Sequence, residues 1–163
     1  MALTLESLLE GVRASRRQFF KHLEGLTDEQ ALWKPYPECK SVRETLVHLI
    51  QVDQAALDSL KTGTLDAWST LEPQIATETK SLTLPELRSL LEQSHTALLD
   101  YLATTYATHA LDEPIPLWAS PTPLGRAVPY LSSEDFYHSG QLAFIRQATD
   151  PSWDYYAAIY GNA

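Results

Sequence analysis

The sequence contains one cysteine, few basic residues and no long apolar run. Cys39 cannot form an internal disulfide, which is typical of proteins in a reducing compartment. Twelve basic against 21 acidic residues give a formal charge of −9, which would repel a phosphate backbone. No apolar segment approaches the length of a membrane span, and the N-terminus lacks the residue order of a signal peptide. We therefore expect a cytoplasmic protein that binds neither nucleic acids nor membranes.

The motifs of several large enzyme classes are also missing. The sequence has no phosphate-binding glycine loop, no nucleophile elbow, no paired-cysteine zinc motif and no internal repeat. Its 163 residues, 44% of them hydrophobic, suffice for one domain over residues 1–163 with a hydrophobic core. Any chemistry must therefore come from side chains that the fold brings together.

Apolar residues at helical spacing predict three helices in the first two thirds of the chain. They cover about residues 4–24, 41–62 and 83–106, and the second and third begin with capping boxes. Gly25 is placed to end the first helix. The basic residues of that helix are expected on its solvated outer face: Arg13, Arg16, Arg17 and Lys21.

The connections between these helices are long and rich in proline and aromatic residues. Residues 25–40 contain one short helical turn and then Trp33 and Tyr36, which either floor a pocket or seal one end of the helices. Residues 63–81 read as a loop with at most a helical turn. Five prolines interrupt residues 109–130, which predicts that neither a helix nor a central strand runs through them. The four aromatic residues from Trp153 to Tyr160 could fold back, line a pocket or join a dimer interface.

A fourth helix is predicted over residues 132–147, with Ser132 and Ser133 at its N-cap. Its apolar stripe, extended backwards, includes Glu134 and His138, which would face inward together. An inward carboxylate and imidazole need partners, because an unpaired buried charge costs about 3–5 kcal/mol. A metal ion or a hydrogen-bond cluster could supply them. Gly140 in the same helix indicates either close packing or a ligand.

His48 on the second helix is the second inward histidine and favours the metal. Glu44 and His48 repeat the spacing of Glu134 and His138, which invites comparison with dinuclear carboxylate sites, but those place Glu and His three residues apart and need two further glutamates. Glu44, however, is better explained as the capping partner of Ser41. We therefore expect one metal rather than two. His95 has no acid or second histidine at ligand spacing and is assigned to core packing.

Two segments together resemble a known family. The motif S-V-R-E-T-L-V-H-L at residues 41–49 follows an aromatic and proline loop, and Y-H-S-G-Q-L-A-F-I-R stands at residues 137–146. Both are similar to the DinB/YfiT superfamily. The resemblance implies an all-α fold, a four-helix bundle with long proline-rich and aromatic connections, usually dimeric. It also implies a divalent metal, zinc or nickel, held by three histidines, and activities such as thiol-dependent transfer, isomerisation or hydrolysis.

Carried onto this chain, the family's ligands fall on His48, Glu134 and His138. The sequence departs from the family pattern at Glu134, where the family usually has histidine. Two histidines with one glutamate form a known catalytic zinc set that leaves room for water, although a carboxylate also suits harder metals. Gln141 is a candidate hydrogen-bond partner of His138. Asp135 and Tyr137 are weaker candidates for pocket contacts.

Two hypotheses follow. In the first, the protein is a metal-dependent enzyme, a hydrolase or a thiol-dependent S-transferase, that acts on a small molecule together with water or a low-molecular-weight thiol. In the second, the same residues serve a non-catalytic helical bundle of structural or interaction role, with or without metal. The resemblance implies a homodimer in either case.

Overall fold

A computed structural model describes residues 3–161 of the chain, and within this range it is almost entirely helical. Seven α-helices occur there: α1 (Leu5–Lys21), α2 (Asp28–Leu32), α3 (Val42–Thr62), α4 (Trp68–Glu78), α5 (Leu84–Thr105), α6 (Leu124–Thr149) and α7 (Tyr155–Tyr160). Two short strands, β1 (Pro114–Ile115) and β2 (Thr122–Pro123), pair antiparallel on either side of a 3-10 turn at Leu117–Ala119. The predicted all-α class is confirmed.

Local capping chemistry determines where four of the helices begin. Each of these helices begins with a capping box, in which the N-cap side chain accepts a hydrogen bond from the backbone N–H three residues later. The side chain of that later residue accepts a hydrogen bond from the N-cap backbone N–H. The four N-cap residues are Thr4, Thr27, Ser41 and Thr83. Each motif satisfies donors that the first turn of a helix leaves unpaired. The predicted starts of these helices are therefore confirmed.

Helix α6 begins eight residues earlier than predicted. Its first backbone N–H groups are already satisfied, because Leu124 donates to the Glu113 carbonyl and Gly125 to the Leu111 carbonyl, at 2.8 and 2.7 Å. Pro129 lies inside the helix rather than before it. Ser133 is likewise in the helix interior, where its hydroxyl donates to the Tyr130 carbonyl at 2.6 Å. The predicted break at residues 109–130 therefore extends only to residue 123, and the serine N-cap was wrong.

The segment predicted as a loop at residues 63–81 contains an eleven-residue helix, α4, despite Pro73 within it. Ile75 anchors this helix in the core and is 1% exposed. Preceding it, Gly63 adopts a left-handed conformation at φ +76° and ends α3.

The apolar core consists of two clusters, and each takes side chains from α1, α3, α5 and α6. One cluster includes Leu9, Ala56, Leu60, Leu98, Leu102, Leu124 and Val128. The other includes Phe19, Leu46, Leu49, Leu87, Leu91, Leu142 and Ile145. In the first cluster the early residues of α1 and α6 meet the late residues of α3 and α5, so α1 and α6 run in one direction and α3 and α5 in the other.

Between the residues that each helix gives to one cluster and those it gives to the other, α1, α3 and α6 carry buried charged side chains. The Arg16 guanidinium donates to the Asp135 carboxylate at 2.7 Å and to the Asp53 carboxylate at 2.9 and 3.3 Å. Arg16 is 4% exposed, so its predicted place on the outer face was wrong. Through these hydrogen bonds the guanidinium of Arg16 links α1 to Asp53 on α3 and to Asp135 on α6.

The C-terminal aromatic residues fold back onto the end of α1. Trp153 and Tyr155 lie about His22, with ring centroids 6.1 and 6.0 Å from the imidazole, and Ile159 of α7 is buried. Of the three alternatives, the described structure shows folding back. Over residues 3–161, no helix has the combination of length and apolar character needed to cross a membrane.

Candidate metal centre

The three predicted ligands come together from two helices that are distant in sequence. His48 lies on α3, and Glu134 and His138 lie one turn apart on α6. The Glu134 carboxylate is 3.7 Å from His48 Nε2 and 3.6 Å from His138 Nε2. One donor atom from each residue lies within 4.8 Å of the other two. Tetrahedral zinc ligands lie about 3.3 Å from one another, so only a small contraction would enclose an ion.

The centre is at the edge of the helical core rather than deep within it. The His138 side chain is 4% exposed, whereas His48 is 23% and Glu134 33% exposed. His138 therefore points inward as predicted, but Glu134 is only half-buried. This arrangement gives the centre access to solvent and small molecules.

Gln141 fixes the orientation of the His138 imidazole. Its side-chain oxygen lies 2.7 Å from His138 Nδ1, and because a carbonyl oxygen only accepts, Nδ1 carries a proton. This hydrogen bond leaves Nε2 as the atom that faces Glu134 and would bind an ion. The hydrogen bond predicted between these two residues is present.

Glu134 is ionised over the whole physiological range. Its interactions with His138 and then with His48 lower the pKa of the carboxyl to about 2, against the opposing effect of burial. An ionised carboxylate between two imidazoles is a suitable set of ligands for a divalent cation. The three side chains are already close together, so binding an ion would need no large movement of the backbone.

Several other predicted contacts lie elsewhere. Asp135 points away from the centre, is fully buried, and accepts hydrogen bonds from Ser15 and Arg16. Burial raises the pKa of Asp135. The Tyr137 ring packs against the His138 imidazole, at a centroid separation of 5.0 Å, but the residue is 65% exposed.

Glu44 does cap its helix as predicted, since it accepts a hydrogen bond from the Ser41 backbone and pairs with Lys34 at 2.8 Å. His95 is buried, as expected for packing, and its Nδ1 lies 3.6 Å from Asp53 on α3. A Cβ at Gly140 would meet no described atom within 4 Å, so close packing inside the chain does not account for this glycine.

Two cavities of different character adjoin the centre. Glu134 lines a largely apolar cavity of about 580 Å³ together with Trp68 and Trp118. His48 lines a second cavity of about 470 Å³, whose walls carry charges of both signs and also include Cys39. Both volumes fall in the range of about 300–1,000 Å³ that is usual for small-molecule sites. Trp33 and Tyr36, expected either to floor a pocket or to seal one end of the helices, line neither of these two cavities.

The family comparison agrees with the motif and the geometry. Residues 12–142 match the model of the DinB superfamily, which covers most of the chain and includes all three candidate ligands. The chain belongs to the DinB superfamily. Comparisons with curated proteins and with solved structures gave no match.

Sequence reasoning missed the walls of the apolar cavity in this DinB-superfamily protein. Arg126, Tyr130, Glu134 and His138 follow one another at intervals of four on α6, and the first three line that cavity. The spacing is visible in the sequence. Pro129 obscures it, because a proline there predicts a break in the chain, whereas in the structure it lies inside α6.

Proposed function

We propose that this DinB-superfamily protein is a divalent-metal-dependent enzyme that acts on a small molecule. The observation that carries the proposal is the convergence of His48, Glu134 and His138, with two imidazole nitrogens aimed at one ionised carboxylate. Three protein donors leave at least one coordination position for water or substrate, which is typical of catalytic rather than structural sites. Zinc or nickel is the ion we propose.

The chain's own residues would hold and orient such an ion. His48 and His138 would bind through Nε2 and Glu134 through a carboxylate oxygen, and Gln141 keeps the His138 proton on Nδ1. When bound, a divalent ion supplies a Lewis acid that lowers the pKa of a coordinated water or thiol. We assign no general base.

The two adjoining cavities favour a thiol-dependent S-transferase over a hydrolase. A transfer reaction needs room for two organic molecules, whereas hydrolysis needs room for one and water. The ligand set borders an apolar cavity through Glu134 and a charged cavity through His48. A polar low-molecular-weight thiol suits the charged side, where Lys40, Lys80 and Glu72 offer groups of both signs.

We also propose that the four long helices form a four-helix bundle and that the protein is a cytoplasmic homodimer. The two clusters shared by α1, α3, α5 and α6 support the bundle. Support for a dimer comes from Phe136 and Phe144, which are 56% and 58% exposed and lie symmetrically about Gly140 on α6. Around a two-fold axis at Gly140, each phenylalanine of one copy would meet the other phenylalanine of the second.

The alternative is a bundle in which Glu134 simply pairs with two histidines and has no catalytic role. The contacts of 3.6 and 3.7 Å between the Glu134 carboxylate and the two imidazoles support that alternative, since an ion pair has the same geometry. A metal that occupies the site without an open coordination position would also favour a structural role.

The deciding experiment is metal analysis of full-length protein purified without chelator, followed by spectroscopy of the cobalt-substituted form. We expect close to one divalent ion per chain, a rise in melting temperature on addition of zinc or nickel, and a change in the cobalt absorption spectrum on addition of a thiol. Glu134→Ala should strongly reduce these effects. The matched control is Glu44→Gln, which stands at the same spacing from His48 but outside the ligand set. Absence of a stoichiometric ion together with no thermal stabilisation would refute the metal-enzyme proposal.

A further inference from the structure

The apolar cavity beside Glu134 has the size and composition of a substrate site. It is an open cavity of about 580 Å³ bordered by α6, the start of α4 and the turn between β1 and β2. Its walls are mostly carbon, and the residues that matter here are Leu65, Trp68, Trp118, Arg126, Tyr130 and Glu134. Such predominance of apolar and aromatic walls with a few polar groups is usual for pockets that bind small organic molecules.

Two tryptophan rings give the cavity its apolar wall. Trp68 and Trp118 pack edge to face, with ring centroids 6.2 Å apart, and Trp68 is still 36% exposed. Trp118 and Ala119 both adopt positive φ, at +55° and +57°, a conformation that side chains with a Cβ rarely take. The strained turn holds Trp118 in the wall of the cavity. An aromatic or otherwise apolar ligand would gain most from this surface.

Arg126 supplies the cavity with a positive charge that has no partner in the described part of the chain. Among the described residues that line the cavity, Arg126 is the sole cation and Glu134 the sole anion. Over residues 3–161, the Arg126 side chain has neither an ion pair nor a hydrogen bond, and it is exposed to solvent. On a chain with a formal charge of −9, an exposed guanidinium at the edge of an apolar cavity is available to an acidic group of a ligand.

The spacing along α6 separates the two charged ends of the cavity. Arg126, Tyr130 and Glu134 lie on one stripe, and the rise of the helix places Arg126 about 12 Å from Glu134 along the axis. In metal-free protein an acidic group would be attracted to Arg126 and repelled by Glu134. A bound molecule is thereby oriented, with its acid at Arg126 and its other end at the candidate metal centre.

We propose that the substrate is an aromatic or similarly apolar molecule that carries one acidic group at the end remote from the reacting atom. The acid binds Arg126, the apolar body lies against Trp68 and Trp118, and the far end reaches Glu134. The assignment of that far end as the reacting end rests on the proposed function. The binding preference itself depends only on the cavity.

The preference can be tested on metal-free protein with two fluorescent probes of nearly the same shape. Anilinonaphthalenesulfonate is an aromatic monoanion, and N-phenylnaphthylamine has the same rings without the sulfonate. We expect Arg126→Gln to weaken binding of the anionic probe about tenfold and to leave the neutral probe unchanged. Arg126→Lys, which keeps the charge, should retain most of the affinity for the anion.

Two further variants locate the probes. Trp68→Ala should weaken both of them, because it removes the shared apolar wall. Arg17→Gln, at an exposed arginine outside the cavity, should weaken neither. The proposal is overturned if Arg126→Gln changes the affinity for both probes equally, or for neither.

Cobalt titration of the same samples separates this inference from the proposed function. If cobalt fails to bind while the probe preference holds, the metal-enzyme proposal is refuted and the cavity assignment stands. If cobalt binds at His48, Glu134 and His138 but the preference for the anionic probe is absent, the substrate class is refuted and the metal centre stands.

Discussion

Replacing Arg16 with methionine tests the buried ion cluster that joins α1 to α3 and α6. The guanidinium is 4% exposed and makes three hydrogen bonds, at 2.7, 2.9 and 3.3 Å, to Asp135 and Asp53. Methionine has a similar length but no charge, so the variant leaves two buried carboxylates without their cation. In the unchanged protein, attraction to Arg16 keeps the pKa of Asp53 below its usual value despite burial, so Asp53 is charged at neutral pH and loses its main counter-ion in the variant.

The expected loss of unfolding free energy is about 3–5 kcal/mol, the usual cost of removing one partner of a buried ion pair. For a domain of this size each kcal/mol lowers the melting temperature by about 2–4 °C, so a decrease of about 6–20 °C is expected. The neighbouring Arg17 is a matched control, because it is 61% exposed and pairs only with Glu10. Arg17→Met should cost less than about 1 kcal/mol.

The assay is urea unfolding of chelated protein at neutral pH and at one protein concentration, so that metal and association do not contribute. A second variant, Arg16→Met with Asp53→Asn and Asp135→Asn, should recover much of the loss, because no charge is then left unpaired. A cost below about 1 kcal/mol for Arg16→Met would show that the cluster contributes little to stability and that the reasoning is wrong.

Four further predictions concern the metal centre and the exposed face of α6. Glu134→His should raise the affinity for nickel, and Glu134→Ala should lower the affinity for every divalent ion by roughly tenfold or more, as measured by calorimetric titration; equal affinities in all three proteins would refute the ligand assignment. Glu134 has a pKa of about 2 in the folded protein, below its unfolded value, so its contribution to stability is complete above about pH 4.5 and is lost as the pH falls towards 2. As the pH falls through this range, the urea midpoint should therefore decrease less steeply in Glu134→Gln than in the unchanged protein. Equal slopes in the two proteins would contradict the lowered pKa of Glu134. Gly140→Ala should stabilise a monomer by about 1 kcal/mol because its Cβ meets nothing within the chain, whereas a closely packed dimer would be weakened. Light scattering of Phe144→Glu, whose side chain is exposed in the single chain, should show monomers if the dimer forms through this face.

The sequence determined the features that depend on neighbours a few residues apart. Capping boxes at Ser41 and Thr83 set the starts of α3 and α5, because the cap and its partner are only three residues apart. Glu134 and His138 share a helix face for the same reason, and the motif around His48 identified the third candidate ligand through the family resemblance.

The tertiary structure alone decided the features that depend on residues far apart in the chain. Arg16 looks like a surface residue in its own helix, but two carboxylates from α3 and α6 balance its charge and allow its burial. The start of α6 depends on carbonyls of Leu111 and Glu113, which lie outside the helix that they cap. The cavity beside Glu134 exists because the turn that carries Trp118 packs near α4 and α6. These contacts join residues far apart in the chain, and no local periodicity encodes them.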